Sequence, residues 1–259
     1  MAAVLLLAAL VLVDTSGSGG SPYYTADSIA NSAANVTGLY APNTFVTIYG
    51  QNLAYTTRAL SASDISGNML PTVLGTTGVR VLINNIPANI YYVSPTQVNL
   101  LIPTSLIPGP VMVQLVVDGL AGPAIPILLQ SAAPSLFQLD AVTVLGVHLD
   151  GSTITAASPA KAGEVVVLFA SGVGPTNPAA IPNQIPQRAA SVTPLSSFSM
   201  LINGAPLNPQ QVLYAGVVPT FAGLFQINVL LPDDTPSNPQ IQVGYAGIMS
   251  PAGKILPVQ

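Results

Sequence analysis

The apolar residues of this chain come in short bursts. Phe45–Tyr49, Val79–Ile83, 98–102, 111–117, 165–169, 225–231 and Ile241–Tyr245 are runs of Val, Ile, Leu, Tyr and Phe, bounded by Pro, Gly, Asn or Asp. Runs of this length between turn residues predict strands. No stretch after the leader holds a 3.6-residue apolar period long enough for a substantial helix, and Ala-rich 28–35 has room for one turn. The class expected is all-β. Asn84-Asn85, Asp118-Gly119, Asp150-Gly151 and Asn203-Gly204 suit two-residue hairpin turns, because Asn, Asp and Gly tolerate positive φ.

The bursts repeat. Gln97-Val98-Asn99-Leu100-Leu101-Ile102-Pro103 returns as Gln226-Ile227-Asn228-Val229-Leu230-Leu231-Pro232, and Leu82-Ile83-Asn84 returns as Leu201-Ile202-Asn203. Phe45–Tyr49 answers to 165–169, and Leu128-Leu129-Gln130 to Pro257-Val258-Gln259. The spacing is 119 residues from Asn84 to Asn203 and 129 from Asn99 to Asn228, so the second copy should carry ten extra residues (129 − 119), expected around 216–221. A tandem duplication of a unit of roughly 100 residues is the size of a small β-sandwich. The organisation expected is a leader and Gly/Ser linker over 1–20, a first Ig-like β-sandwich over 21–130, a connector and hairpin over 131–157, and a second sandwich over 158–259.

Pro42-Asn43-Thr44-Phe45-Val46-Thr47-Ile48-Tyr49-Gly50-Gln51-Asn52-Leu53 resembles the opening strand of the immunoglobulin-like TIG, or IPT, fold. The chain from about residue 27 onward also resembles the Solibacter-type C-terminal domain family of secreted acidobacterial proteins. The pieces that carry this are Tyr92-Val93-Ser94-Pro95-Thr96-Gln97-Val98-Asn99, Ala132-Ala133-Pro134-Ser135-Leu136-Phe137, Pro159-Ala160-Lys161-Ala162-Gly163-Glu164 and Gly172-Val173-Gly174-Pro175. The resemblance implies two tandem TIG/IPT-like sandwiches and an extracytoplasmic setting. It brings no activity to any residue.

Composition narrows the chemistry. There are 5 Lys and Arg, 9 Asp and Glu, a net charge of −4, one His and no Cys. Five dispersed cations cannot neutralise a run of phosphates, so no nucleic-acid partner is expected. Without Cys there is neither a disulfide framework nor a thiolate nucleophile. The apolar run 2–13 is too short to span a membrane and suits a cleaved secretory signal, although no cation precedes Arg58. The expected location is therefore secreted or cell-surface, with no integral membrane span.

The candidates for chemistry are few. Gly172-Val173-Gly174 follows a strand as a dinucleotide loop would, but Pro175 and Pro178 forbid the helix such a loop must open. His148 with Asp150 and a serine would form a triad, but no Gly-x-Ser-x-Gly elbow raises a nucleophile. Asp140, Asp150, Asp233 and Asp234 lack calcium-loop spacing. No catalytic residue, metal or cofactor is expected. Gln97, Asn99, Gln226 and Asn228 are the polar residues of interest, because each pair alternates with apolar neighbours and lines one strand face. The expected role is structural, with Asn99 and Asn228 bonding backbone of an adjacent loop; the alternative is a polymer-binding strip. Tyr23, Tyr24, Tyr40, Tyr55, Tyr91 and Tyr92 are candidates for stacking on sugars, with only one of Tyr91 and Tyr92 facing outward. The function expected is a non-catalytic interaction or structural module at the cell exterior, its partner a protein or surface polymer. A carbohydrate- or polymer-binding adhesion module is the alternative, and a secreted hydrolase stands last.

Overall fold

Alternation decides which face of each strand turns inward. Val79, Val81 and Ile83 are buried while Arg80 is exposed, and Val111, Val113, Leu115 and Val117 are buried while Met112 is exposed. A computed structural model describes residues 19–259, and over them the protein is all-β, with helical structure limited to four short 3-10 turns. The leader over 2–13 lies outside the described residues. Among the described residues no helix is long and apolar enough to cross a membrane.

The chain folds into two compact units. The first takes residues 19–130 together with 182–185, and the second takes 131–181 and 186–259. Segment 131–157, read above as a connector, is built into the second unit.

Unit 1 contains strands β1 (Ile29–Asn31), β2 (Phe45–Tyr49), β3 (Arg58–Ala59), β4 (Val79–Ile83), β5 (Ile86–Pro87), β6 (Asn89–Ser94), β7 (Gln97–Leu101), β8 (Gly109–Val117), β9 (Leu120–Ala121) and β10 (Ile125–Leu129). They form two antiparallel sheets, β1-β2-β7-β6-β3 and β10-β8-β4-β5, with β9 beside β8. Ile48, Ile90 and Val98 from the first sheet pack with Val81, Ile83 and Leu115 from the second. Burying each such side chain is worth about 1.5–3 kcal/mol. Segment 182–185 adds a short antiparallel bridge, in which Leu70 N–H donates to Asn183 O (2.8 Å) and Ile185 N–H to Asn68 O (2.9 Å).

Unit 2 contains β11 (Ser135–Leu136), β12 (Gly146–Val147), β13 (Val165–Ser171), β14 (Thr176–Asn177), β15 (Ala190–Val192), β16 (Phe198–Ile202), β17 (Ala205–Pro206), β18 (Val212–Val217), β19 (Phe225–Leu230), β20 (Ile241–Tyr245) and β21 (Ile248–Met249). One sheet runs β11-β13-β19-β18-β15-β14, with β12 also on β13, and the other runs β17-β16-β20-β21. Leu168, Ile227 and Val229 face Met200, Ile241 and Val243 across the sandwich.

Register repeats on the central strands of the two units. Tyr49 pairs with Gln97 and Thr47 with Asn99, as Phe169 pairs with Gln226 and Val167 with Asn228. Asn84 and Asn203 each turn a hairpin at positive φ, and each Oδ1 accepts from a strand N–H, of Met112 (2.8 Å) and Gln240 (2.7 Å). The insertion in the second copy is split rather than confined to 216–221. The offset is 119 from Pro87 to Pro206, 122 from Tyr92 to Tyr214 and 129 from Gln97 to Gln226, so extra residues lie both before β18 and between β18 and β19. The turn at Asp150-Gly151 also differs from expectation. Gly151 N–H closes onto His148 O (2.9 Å), so Leu149 and Asp150 are the central residues and only Gly151 has positive φ.

One hydroxyl is supplied differently in the two copies. Leu115 N–H donates to Tyr24 Oη (2.7 Å), and that hydroxyl donates to Pro123 O (2.6 Å). In unit 2 the equivalent Val243 N–H donates to Ser250 Oγ (3.0 Å). Ser250 occupies the place of Gly122, where an added Cβ would meet the Tyr24 ring at 2.7 Å.

Candidate functional site

The four amides expected from the sequence lie on central strands, β7 and β19, each flanked on both sides. Val98, Leu100 and Ile102 belong to the core of unit 1, and Ile227, Val229 and Leu231 to that of unit 2, so the amides occupy the outer faces of their sheets. In both copies the Gln donates to the Asn two residues on. Gln97 Nε2 to Asn99 Oδ1 is 2.8 Å, and Gln226 Nε2 to Asn228 Oδ1 is 2.6 Å. An i, i+2 amide pair on one strand face is thus part of the repeated framework.

A β-bulge shapes each outer face. Between Ile90 and Tyr92 the register of β6 on β7 shifts, and between Val212 and Tyr214 the register of β18 on β19 shifts at the equivalent place. Ile90 points to the core and Tyr92 stands opposite Asn99, with Tyr91 the extra residue. The Tyr91 ring meets Phe45 edge-on at 5.0 Å, and Phe45 pairs with Leu101 on the outer face. Both tyrosines therefore lie on the outer face, because a bulge breaks the alternation that would otherwise send one inward. Burial raises the Tyr91 phenol far above its ordinary value.

The two outer faces diverge around this framework. In unit 1 Ser32 Oγ lies 2.8 Å from Thr47 Oγ1, Tyr49 donates to Asn35 Oδ1 (3.2 Å), and Asn99 is only 3% exposed. In unit 2 the positions of Thr47, Tyr49 and Tyr91 are Val167, Phe169 and Leu213, and Asn228 is half-buried. Tyr214, opposite Asn228, donates to Val217 O (2.8 Å) along its own strand, and its hydroxyl lies 2.6 Å from where a Cβ of Gly216 would sit. The absence of a side chain at Gly216 lets the ring lie along β18.

His148 forms the one compact cluster of ionisable and hydroxyl groups in unit 2 that the sequence did not assemble. Its Nδ1 is 2.5 Å from Glu164 Oε1, not bonded to Asp150, and its Nε2 is 3.2 Å from Ser158 O and 3.4 Å from Ser158 Oγ. Lys161 N–H holds the other oxygen of Glu164 (2.9 Å). When protonated, the ring can donate from Nδ1 to the Glu164 carboxylate and from Nε2 to the Ser158 carbonyl, which is nearer than the Ser158 hydroxyl. The Glu164 carboxylate is the main cause of the raised His148 pKa, helped by the Ser158 carbonyl and the charges of Glu164 and Asp150 and opposed by burial. Ser158 N–H is itself turned to Thr155 O (3.1 Å).

The remaining acidic candidates serve turns. Asp140 accepts from Val142 and Thr143 N–H (both 2.8 Å), and these bonds hold its carboxyl below the usual range. Asp150 accepts from Ser152 Oγ (2.7 Å) and N–H (2.9 Å), with the same effect. Among the described residues no three His, Asp or Glu gather to hold a metal ion.

Residues 32–130 match the IPT/TIG domain. The surface glycan-binding protein PbSGBP-B of Prevotella bryantii is 14% identical over 87% of this chain and 40% of its own, with a TM-score of 0.27. The SGBP-B of the Bacteroides ovatus mixed-linkage glucan utilization locus is 13% identical over 96% of this chain and 45% of its own, with a TM-score of 0.35. Domains 5–6 of the S-layer protein SbsC are 8% identical over 92% of this chain and 98% of their own, with a TM-score of 0.28. The chain spans less than half the length of the two glycan-binding proteins. No curated protein matches it.

Proposed function

We propose that this chain is a non-catalytic interaction module of the cell exterior, a pair of Ig-like sandwiches that offers its surfaces to a protein or a surface polymer. The observation that carries this reading is the state of His148. It is the only imidazole in the chain, its Nδ1 is held by Glu164, and its Nε2 lies nearer the Ser158 carbonyl (3.2 Å) than the Ser158 hydroxyl (3.4 Å), an arrangement that ties the ring into the fold rather than aiming it at the hydroxyl. The exported setting rests on the apolar run 2–13 and on the resemblance to the Solibacter-type family of secreted proteins.

The decisive experiment is a turnover screen with ester, glycoside and peptide substrates, run on wild type and on Ser158→Ala. No turnover above the solvent rate is expected for either. Turnover in wild type that disappears in Ser158→Ala would make the Ser158-His148-Glu164 cluster a catalytic triad and overturn the proposal. Export is tested separately, by N-terminal sequencing of protein recovered from outside the cytoplasm; material beginning at Met1 would remove the signal-peptide reading.

A further inference from the structure

We propose that the outer face of the seven-stranded sheet in unit 2 is a binding site for an uncharged, hydroxyl-rich polymer, a neutral polysaccharide, centred on Tyr214, Gln226, Asn228 and Phe169. The inference rests on the interaction-module reading and names its surface and its ligand class.

Four features of the face point to this ligand. The Tyr214 side chain runs along β18 with its hydroxyl over side-chain-free Gly216 and bonded to Val217 O, so that the ring is laid along the strand as an apolar platform. Gly216 pairs with Gln226 and Tyr214 pairs with Asn228, so the platform borders both amides. The Gln226–Asn228 bond uses one donor hydrogen and one carbonyl oxygen. Gln226 Oε1 and Asn228 Nδ2 have no hydrogen-bond partner among the described residues, leaving an acceptor and donors on half-buried side chains beside the ring. A sugar offers the complement, an apolar C–H face for the ring and hydroxyls that both donate and accept for the amides.

Charge decides between polymers. No residue of β13, β18 or β19 is charged. A chain with net charge −4 and five cations repels an acidic polysaccharide rather than attracting it. The corresponding face of unit 1 is more covered at its centre, where Asn99 is 3% exposed and Tyr91 8%, although Gln97 and Tyr92 are half-buried. The site is therefore placed on unit 2, where the Asn of the pair is also half-buried rather than covered.

The test uses the full chain and affinity electrophoresis through gels cast with soluble neutral polymers (a β-glucan, a mannan and dextran) and with polygalacturonate as the acidic control. Wild type should be retarded by at least one neutral polymer and not by polygalacturonate. Tyr214→Ala and the double variant Gln226→Ala/Asn228→Ala should each weaken that binding about tenfold, the loss expected when a stacked ring or a pair of hydrogen bonds is removed. Tyr214→Phe keeps the platform and should retain binding, as should Tyr55→Ala in unit 1. Near-wild-type melting of each variant separates lost binding from lost fold, and the double variant carries the test if Tyr214→Ala does not fold. Failure of wild type to be retarded by any neutral polymer overturns the site while leaving the module reading to its own turnover screen. Retardation that survives the double variant, or that occurs only in polygalacturonate, also overturns it.

Discussion

The two units share one framework and differ in what they do with it. Each places a Gln-x-Asn pair on a central strand, a bulged tyrosine strand beside it and an Asn hairpin that pins a neighbouring strand. In unit 1 the amide face is covered at its centre by Tyr91, by Phe45 and by the Ser32 and Asn35 contacts, and Leu115 is completed by a tyrosine from far upstream. In unit 2 the same face is half-open, lined by Phe169 and by Tyr214 along its strand, and the equivalent hydroxyl comes from Ser250 within the second copy. The lesson is that a polar pair in a repeat does not have one role. Its surroundings decide whether it is part of a covered layer or an open surface.

The sharpest way to break the comparison is at Tyr24. It is 2% exposed and bonds both Leu115 and Pro123, so Tyr24→Ala should cost about 3–5 kcal/mol in the stability of unit 1 through the cavity and the stranded N–H. Adding Gly122→Ser to that variant should recover part of the loss, because it installs the hydroxyl that unit 2 uses. Denaturant unfolding of the single and double variants checks this, and a double variant no more stable than the single would show that Ser250 is not the counterpart of Tyr24.

The amides come next. Asn99→Ala should cost about 1–3 kcal/mol, because it leaves Gln97 without its acceptor in a covered layer. Asn228→Ala, on the more open face, should cost less than about 1 kcal/mol. Equal losses in calorimetry would mean that the two faces are equally closed.

The smallest effect is on pH. The pKa of His148 is raised in the folded chain, so its protonation stabilises unit 2 fully below the unfolded value near 6.5, and the contribution fades as pH rises through the folded value. His148 is the only side chain whose ordinary pKa lies in that range, and unit 1 contains no histidine. Hydrogen exchange should show protection around 146–164 falling modestly as pH rises above the ordinary histidine value near 6.5, with unit 1 unchanged beyond the intrinsic rate and His148→Gln showing no fall. A similar fall in His148→Gln would assign the effect to another group.

Much of this was legible in the residues. Short Val- and Ile-rich runs between Pro and Gly give the strands, and the repeated Gln-Val-Asn and Leu-Ile-Asn blocks give the duplication. The hairpins at Asn84-Asn85, Asp118-Gly119 and Asn203-Gly204 follow from residues that tolerate positive φ. Other features depend on tertiary placement. Strict alternation assigns Tyr91 and Tyr92 to opposite faces, and only a bulge, set by pairing with β7, puts both outside. His148 invites pairing with Asp150, its near neighbour, but the turn points that carboxylate at Ser152 and Glu164 arrives from the start of the next long strand. Tyr24 lies 91 residues from Leu115, and no local pattern announces the bond.

The membership of 182–185 bears on how the chain is made and how it can be cut. Synthesis runs from the N-terminus, so all of 19–130 emerges before the residues that bond Asn68 and Leu70. Unit 1 is completed only after the chain has passed through β13 and β14, deep in the second copy. The two units are interleaved along the polypeptide, and no single break between residues 130 and 131 releases both whole. A protease that nicked that junction would leave the first fragment lacking the segment that bridges Met69, whereas a recombinant first unit keeps its full set of bonds only if 182–185 is supplied with it.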